Sequence, residues 1–179
     1  TTPILFTALG AMISRRAGIM NISLEGMMLV GALFGVIGST YSQSALVGVL
    51  CAVVASLLLS LVFAYFVLKL KSDLILTGIA LNLMASGGTV FLLSVICGDK
   101  GVSTSMASKV VPSIEIPLIK DIPILGEILS GHNVLTYVAL LSVVVVYVLV
   151  NKSPLGLRIR SVGENPDAAE SVGISVVKT

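Results

Sequence analysis

Residues 44–68 read SALVGVLCAVVASLLLSLVFAYFVL and carry no charged side chain. A helix needs about 20 mostly apolar residues to cross the hydrocarbon core of a bilayer, and this stretch is long enough to do so. Three further apolar stretches lie at 23–39, 74–97 and 134–150, and a shorter one at 1–14 is interpreted as a partial span or a half-helix. The pattern predicts an all-α, polytopic transmembrane helical bundle.

The composition of the whole chain supports a membrane protein. Of its 179 residues, 56% are hydrophobic and 11% are charged, and the mean hydropathy is +1.08. Soluble domains are about a quarter charged, so a soluble domain is excluded, and disorder is excluded by the high hydrophobicity. The net charge of +2 is too small for a nucleic-acid partner. No metal-ligand spacing surrounds the two cysteines, and we expect no metal or cofactor.

The basic residues predict which side of the membrane each connection faces. They cluster after the first apolar stretch, between the third and fourth, and after the last, as Arg15 and Arg16, Lys69 and Lys71, and Lys152, Arg158 and Arg160. All three clusters can lie on the cytoplasmic side without conflict, as the positive-inside rule requires. The segment 98–133 is then extracytoplasmic, and 151–179 is a cytoplasmic loop.

The apolar pattern opens within a span and stops without a closing element. We therefore expect a single, partial transmembrane domain over 1–179, belonging to a longer multi-pass protein of the cytoplasmic (inner) membrane.

Small residues at four-residue spacing mark the faces where two of the helices should meet. One span carries Gly31 and Gly35 with Gly38 nearby, and the next carries Ala52, Ser56, Ser60 and Ala64. Helix association in lipid relies on close packing of small residues, so these ridges predict helix–helix contacts.

Polar residues inside the apolar regions are candidates for a translocation path. Asn82 and Ser86 share one face of the span at 74–97, and a buried asparagine must either bond a neighbouring helix or line a watery route. The stretch GIMNISLEG at 18–26 places Asn21 and Glu25 in a helix break. Asn21 or Ser23 is expected to cap the following helix. The break is either an ordinary interfacial cap or the edge of a transport pathway.

The C-terminal region carries the signals of a short helix at about 166–172. Asn165 is well placed as the N-cap, Pro166 as the first helical residue and Gly173 as the C-terminal stop. On composition alone, this helix either docks on a partner or simply connects two spans.

Three stretches give the chain a recognisable resemblance: ALGAMISRRAGIMNISLEGMMLVGA at 8–32, LILTGIALNLMASG at 74–87 and LGLRIRSVGENPDAAESVGIS at 155–175. They resemble the permeases of ABC importers for ribose-type sugars, branched-chain amino acids and nucleosides. The nucleoside-uptake branch is the most similar, although Ser23 stands where that branch more usually has glycine.

The resemblance implies a transport subunit that is not itself an enzyme. In such permeases a cytoplasmic coupling helix docks on an ATP-binding subunit, and this role falls on Gly163, Glu164, Asn165, Ala168, Ala169 and Gly173. The other implied partners are a second permease subunit, identical or different, and an extracytoplasmic substrate-binding protein. The implied cargo is a nucleoside or a similar small solute, with ATP hydrolysed on the partner.

Several alternatives stay open. Within the family, the solute is alternatively a sugar or a branched-chain amino acid. An ion-coupled carrier or channel is disfavoured because Glu25 is nearly alone as a charge within the membrane regions. An intramembrane enzyme is disfavoured because His132 stands outside the spans without a catalytic partner.

Overall fold

The computed structural model describes residues 2–98 and 133–176. This part of the chain forms seven α-helices and contains no strand. In chain order they are α1 (Thr2–Arg16), α2 (Leu24–Ser42), α3 (Ala45–Ala64), α4 (Leu74–Cys97), α5 (Val134–Lys152), α6 (Pro154–Glu164) and α7 (Pro166–Ser171), and a π-helical turn at Tyr65–Lys69 extends α3. The predicted all-α class is confirmed. Nearly all of the segment predicted to be extracytoplasmic, 98–133, lies outside the described residues.

Four of these helices are long and apolar enough to cross a bilayer. They are Leu24–Ser42, Ala45–Lys69, Leu74–Ile96 and Val134–Lys152, and each has at least 19 residues. At 1.5 Å per residue such a helix reaches about 28 Å, close to the thickness of the hydrocarbon core. Large apolar side chains are exposed along them, as Leu76 and Leu83 on α4 illustrate. A chain built this way is a multi-pass membrane protein.

The antiparallel pair α2 and α3 packs through small residues. A methyl group at Gly31 would lie 2.5 Å from Ser56 Oγ, and one at Gly35 would lie 3.3 Å from the Ala52 Cβ. The Ser56 hydroxyl also donates to the carbonyl of Met27 at 3.1 Å. The predicted contact ridge is therefore confirmed at Ala52 and Ser56.

The buried core lies where α2, α3 and α4 meet. Its side chains are Met27 from α2, Leu59 and Phe63 from α3, and Leu81 from α4. This cluster is small because most apolar surface points outward. Close approach of helix backbones thus contributes much of the packing.

The last two helices begin with the same local signal, a capping side chain followed by proline. Ser153 Oγ accepts from the Gly156 N–H at 3.1 Å, and Pro154 is the first residue of α6. This helix was not predicted from the sequence, whereas α7 covers the range expected for it.

Candidate functional site

Residues 17–23, called the break from here on, interrupt the helical path between α1 and α2. The Gly18 N–H donates to the Arg15 carbonyl at 3.1 Å, and the Ile19 N–H donates to the Ser14 carbonyl at 3.0 Å. Gly18 has a φ of +83°, the left-handed conformation that ends helices in this bonding pattern. The break expected from the sequence is therefore present, and it is a true helix end.

Inside the break, Asn21 folds back on its own segment. Its Oδ1 accepts from the Ser23 N–H at 3.0 Å and from the Ser23 hydroxyl at 2.7 Å. Ser23 holds the N-cap position of α2 and is fully buried, but its side chain makes no capping bond. Ser23 therefore occupies the N-cap position as predicted, but neither Asn21 nor Ser23 makes a side-chain capping bond to α2, because these two side chains bond each other.

The capping group comes instead from another helix. Asn82 on α4 accepts from the Gly26 N–H at 2.8 Å, and its Nδ2 donates to the Ile22 carbonyl at 2.9 Å. Gly26 is the third residue of α2, and its N–H is one of those that a helix leaves without an internal partner. Asn82 therefore supplies the side-chain capping bond of α2 from another helix of the same chain. Its single amide group bonds both Ile22 and Gly26 and so ties the start of α2 to α4.

Two glycines allow the break to lie this close to α4. A methyl group on Gly26 would lie 2.9 Å from Asn82 Oδ1 and 3.0 Å from the Ala85 Cβ. A methyl group on Gly78, one turn before Asn82, would lie 2.9 Å from the Ile22 Cβ. The capping bond thus depends on glycine on both helices.

The structure gathers three of the four candidate path residues around the break. Asn21 lies within it, Asn82 bonds to it, and Glu25 follows in the first turn of α2 with its side chain exposed. A carboxylate there is favourably placed near the positive end of the helix dipole. Ser86 lies one turn further along α4, where it is exposed and does not share the Asn82 bonds.

A cleft of about 230 Å³ opens beside the break, between α1, α3 and α6. Ser14, Asn21 and Ser60 supply its polar lining, and Ile159 of α6 contributes to its wall. The predicted ridge residues Ser60 and Ala64 line this cleft. Among the described residues, no group of three or more His, Cys, Asp or Glu side chains is arranged to hold a metal ion.

The helices α6 and α7, called the tail helices from here on, follow α5 directly. Asn165 Oδ1 accepts from the Ala168 N–H at 3.1 Å, which confirms the predicted N-cap of α7. At the other end Gly173 has a φ of +83°, and the Ile174 N–H donates to the Ala169 carbonyl at 3.0 Å. This short helix is fixed at both ends by local bonds.

The six residues expected to couple to a partner divide into two groups. Ala169 is 3% exposed and Gly163 is half-buried against the break. The other four, Glu164, Asn165, Ala168 and Gly173, are exposed. Asp167, Glu170 and Val172 are exposed as well. The outward surface of α7 is therefore acidic with small apolar patches.

Two contacts that hold the tail helices in place, those of Arg160 and Gly163, were not predicted from the sequence. Arg160 donates from Nη2 to the Val150 carbonyl at 3.0 Å and also to Asn151 Oδ1, which fixes α6 to the end of α5. A basic residue soon after a helix C-terminus is a recognisable signal for such a contact. The contact of Gly163 with the break has no comparable local signal.

Comparisons with known proteins agree along the whole chain. The family model described as "Branched-chain amino acid transport system / permease component" matches residues 1–179. The guanosine ABC transporter permease protein NupQ of Bacillus subtilis is 35% identical over 98% of this chain and 57% of its own length. The nucleoside ABC transporter permease protein NupC of Lactococcus lactis subsp. cremoris is 33% identical over 98% of this chain and 57% of its own length.

A third relative is named for a different solute. The putative glucose ABC transporter permease protein of Haloferax volcanii is 34% identical over 99% of this chain and 53% of its own length. The chain thus spans little more than half the length of these relatives. No solved structure matches it. The match of the family model to every residue, together with these relatives, shows that the chain belongs to the ABC transporter permease family described as branched-chain amino acid transport system / permease component.

Proposed function

We propose that this chain forms part of the permease subunit of an ATP-driven importer that moves nucleosides across the cytoplasmic membrane. The observation that carries the proposal is the similarity, over 98% of the chain, to permeases named for guanosine and for nucleosides. A sugar is the second candidate solute, because a permease named for glucose is 34% identical.

In this proposal α7 docks on an ATP-binding subunit that hydrolyses the ATP. Support comes from the exposed residues Glu164 and Asn165 directly before α7, from the exposed Ala168 within it, and from its two locally bonded ends. A helix that is already ordered loses little conformational entropy on binding, so more of its contact energy appears as affinity. The carboxylates of Asp167 and Glu170 favour a groove with basic side chains on the partner.

The translocation path is proposed to run along the break and the adjoining face of α4. Irregular backbone is tolerated at membrane depth where it is buried in protein or lines a water-filled cavity, and the cleft beside Asn21 offers such a border. Glu25 on α2 and Ser86 on α4 add exposed polar groups. In this arrangement Asn82 holds the break in position, and the other three residues face the path.

The remaining partners are proposed from the family alone. They are a second permease subunit, identical or different, and a substrate-binding protein that delivers solute on the extracytoplasmic side.

Uptake competition tests the solute. Vesicles containing the full-length permease and its partner subunits would be given labelled guanosine with an excess of unlabelled nucleoside, glucose or leucine. We expect unlabelled nucleosides to suppress uptake and the other two solutes to leave it unchanged. No uptake of labelled guanosine by vesicles that do accumulate labelled glucose would favour the sugar and contradict the proposal.

A further inference from the structure

The tail helices touch the break through bare backbone. A methyl group on Gly163 would overlap the Arg16 carbonyl oxygen and would lie 2.9 Å from the Gly18 nitrogen. A methyl group on Gly18 would lie 3.1 Å from the Gly163 Cα. No side chain separates the two segments, so they cannot slide past each other by changing rotamers.

Gly163 lies next to the junction of the two tail helices. It lies in the last turn of α6. Asn165, two residues later, is both the C-cap of α6 and the N-cap of α7. Arg160 anchors the same helix to the carbonyl of Val150 on α5. Only Asn165 separates the two helices, so a displacement of α7 also displaces the end of α6.

On its other side the break is tied to α4. The Asn82 side chain bonds the Ile22 carbonyl and the Gly26 N–H, and Gly78 lets Ile22 approach. The break thus has one contact with the tail helices and a second with a membrane-spanning helix that carries candidate path residues.

We propose that Gly18 and Gly163 are positioning residues that transmit movement of the docked α7 through the break to Asn82 and α4. This inference rests on the proposed function, since it requires that α7 docks on an ATP-binding subunit. Rigid packed contacts of this kind carry coupling between distant sites when the element between them has two arrangements, and the proposal assigns these two arrangements to the break.

Glycine substitutions with matched controls test the relay. Gly163→Ala forces the end of α6 away from the break, whereas Gly10→Ala on α1 meets nothing within 4 Å. Gly18→Ala combines the contact with a positive φ, and Gly98→Ala, with a φ of +72° and open space, controls for the backbone strain. Each variant is made in the full-length permease and reconstituted with its ATP-binding subunit.

The readout is solute transported per ATP hydrolysed. We expect Gly163→Ala and Gly18→Ala to retain the ATP-binding subunit but to lower this ratio by about fivefold or more, the lower end of typical coupling between sites. Gly10→Ala and Gly98→Ala should keep the wild-type ratio. An unchanged ratio in Gly163→Ala overturns the relay, whereas failure of the wild-type permease to bind the ATP-binding subunit overturns the proposed function instead.

A second measurement includes a comparison that needs no glycine variant. Met20 lies in the break and is 58% exposed, so Met20→Cys, in a background without other cysteines, reports on the break through its rate of maleimide labelling. We expect the rate to change between the nucleotide-free and ATP-bound complexes, and to stop changing in Gly163→Ala. A rate that is the same in both states with Gly163 intact overturns the relay.

Discussion

At the scale of single residues, Asn82 shows what a sequence pattern can and cannot establish. Its position in an apolar run requires a hydrogen-bonding partner, and this much follows from the chemistry of lipid. Which partner it finds depends on the neighbouring helix and on Gly26 and Gly78, which let the break approach. Because periodicity gives only the face of a helix, the sequence favoured interhelical bonding for Asn82 and left path lining open as the alternative.

Replacement of Asn82 by alanine tests its role as the cap of α2. The variant leaves the Gly26 N–H and the Ile22 carbonyl without these partners, so we expect a loss of about 1 to 2 kcal/mol in unfolding free energy. Ser86→Ala, on the same helix and exposed, should change stability by less than about 0.5 kcal/mol. Denaturation of both purified variants in mixed micelles measures the difference, and equal stabilities would argue against the cap.

At the scale of elements, the sequence predicted α7 and the contact between α2 and α3, but it did not predict the contact between the tail helices and the break. The Asn165–Pro166 pair and Gly173 predicted the start and the end of α7 correctly, because helix caps depend on residues that are neighbours in the sequence. The same signal is present at Ser153–Pro154, but α6 was not predicted from it. The contact between Gly18 and Gly163 joins segments that are distant in sequence, and no local pattern encodes it.

The pairing of α2 with α3 makes a prediction about packing. A methyl group at Gly48 would lie 2.8 Å from the Gly35 carbonyl oxygen, so Gly48→Ala should push the helices apart. We expect a loss of about 1 to 3 kcal/mol, as for other overpacked sites. Gly87→Ala, on α4 with nothing within 4 Å, is the matched control and should be neutral or stabilising. A Gly48→Ala variant as stable as the control would contradict the packing described here.

Preorganisation of α7 makes a prediction about partner binding. Asn165→Ala removes the cap and should weaken α7 by about 1 kcal/mol, which corresponds to roughly a fivefold loss of affinity for the ATP-binding subunit. Asn165→Asp keeps an acceptor for the Ala168 N–H and should restore most of the affinity. Titration of the ATP-binding subunit against both variants gives the comparison, and a loss of equal size in Asn165→Asp would show that the cap is not the cause.

At the scale of the whole molecule, the few basic residues of the chain predict how it is oriented in the membrane. From the basic clusters we propose that the break and the tail helices lie on one side of the membrane and the α2–α3 connection on the other. This arrangement puts the tail helices where an ATP-binding subunit has access to them. The sequence supplied the clusters, but only the structure showed that the break and the tail helices are in contact.

The orientation is tested by labelling from outside intact cells. In a background without other cysteines, Ser42→Cys at the end of α2 should react with a membrane-impermeant maleimide. Lys152→Cys at the end of α5 should react only after the cells are permeabilised. Both positions are exposed, so a difference in labelling reflects sidedness. Reaction of Lys152→Cys in intact cells would reverse the assignment.

The most direct test of the central claim is ATP-dependent nucleoside uptake that depends on the exposed face of α7. Vesicles would hold the full-length permease and its partners. Wild type would be compared with Ala168→Trp on α7 and with Ser42→Trp at the C-terminal end of α2, the end away from the break. We expect guanosine to accumulate only with ATP on the side of the ATP-binding subunit, and we expect Ala168→Trp to abolish this accumulation while Ser42→Trp preserves it. Accumulation without ATP, or undiminished uptake by Ala168→Trp, would overturn the proposed function.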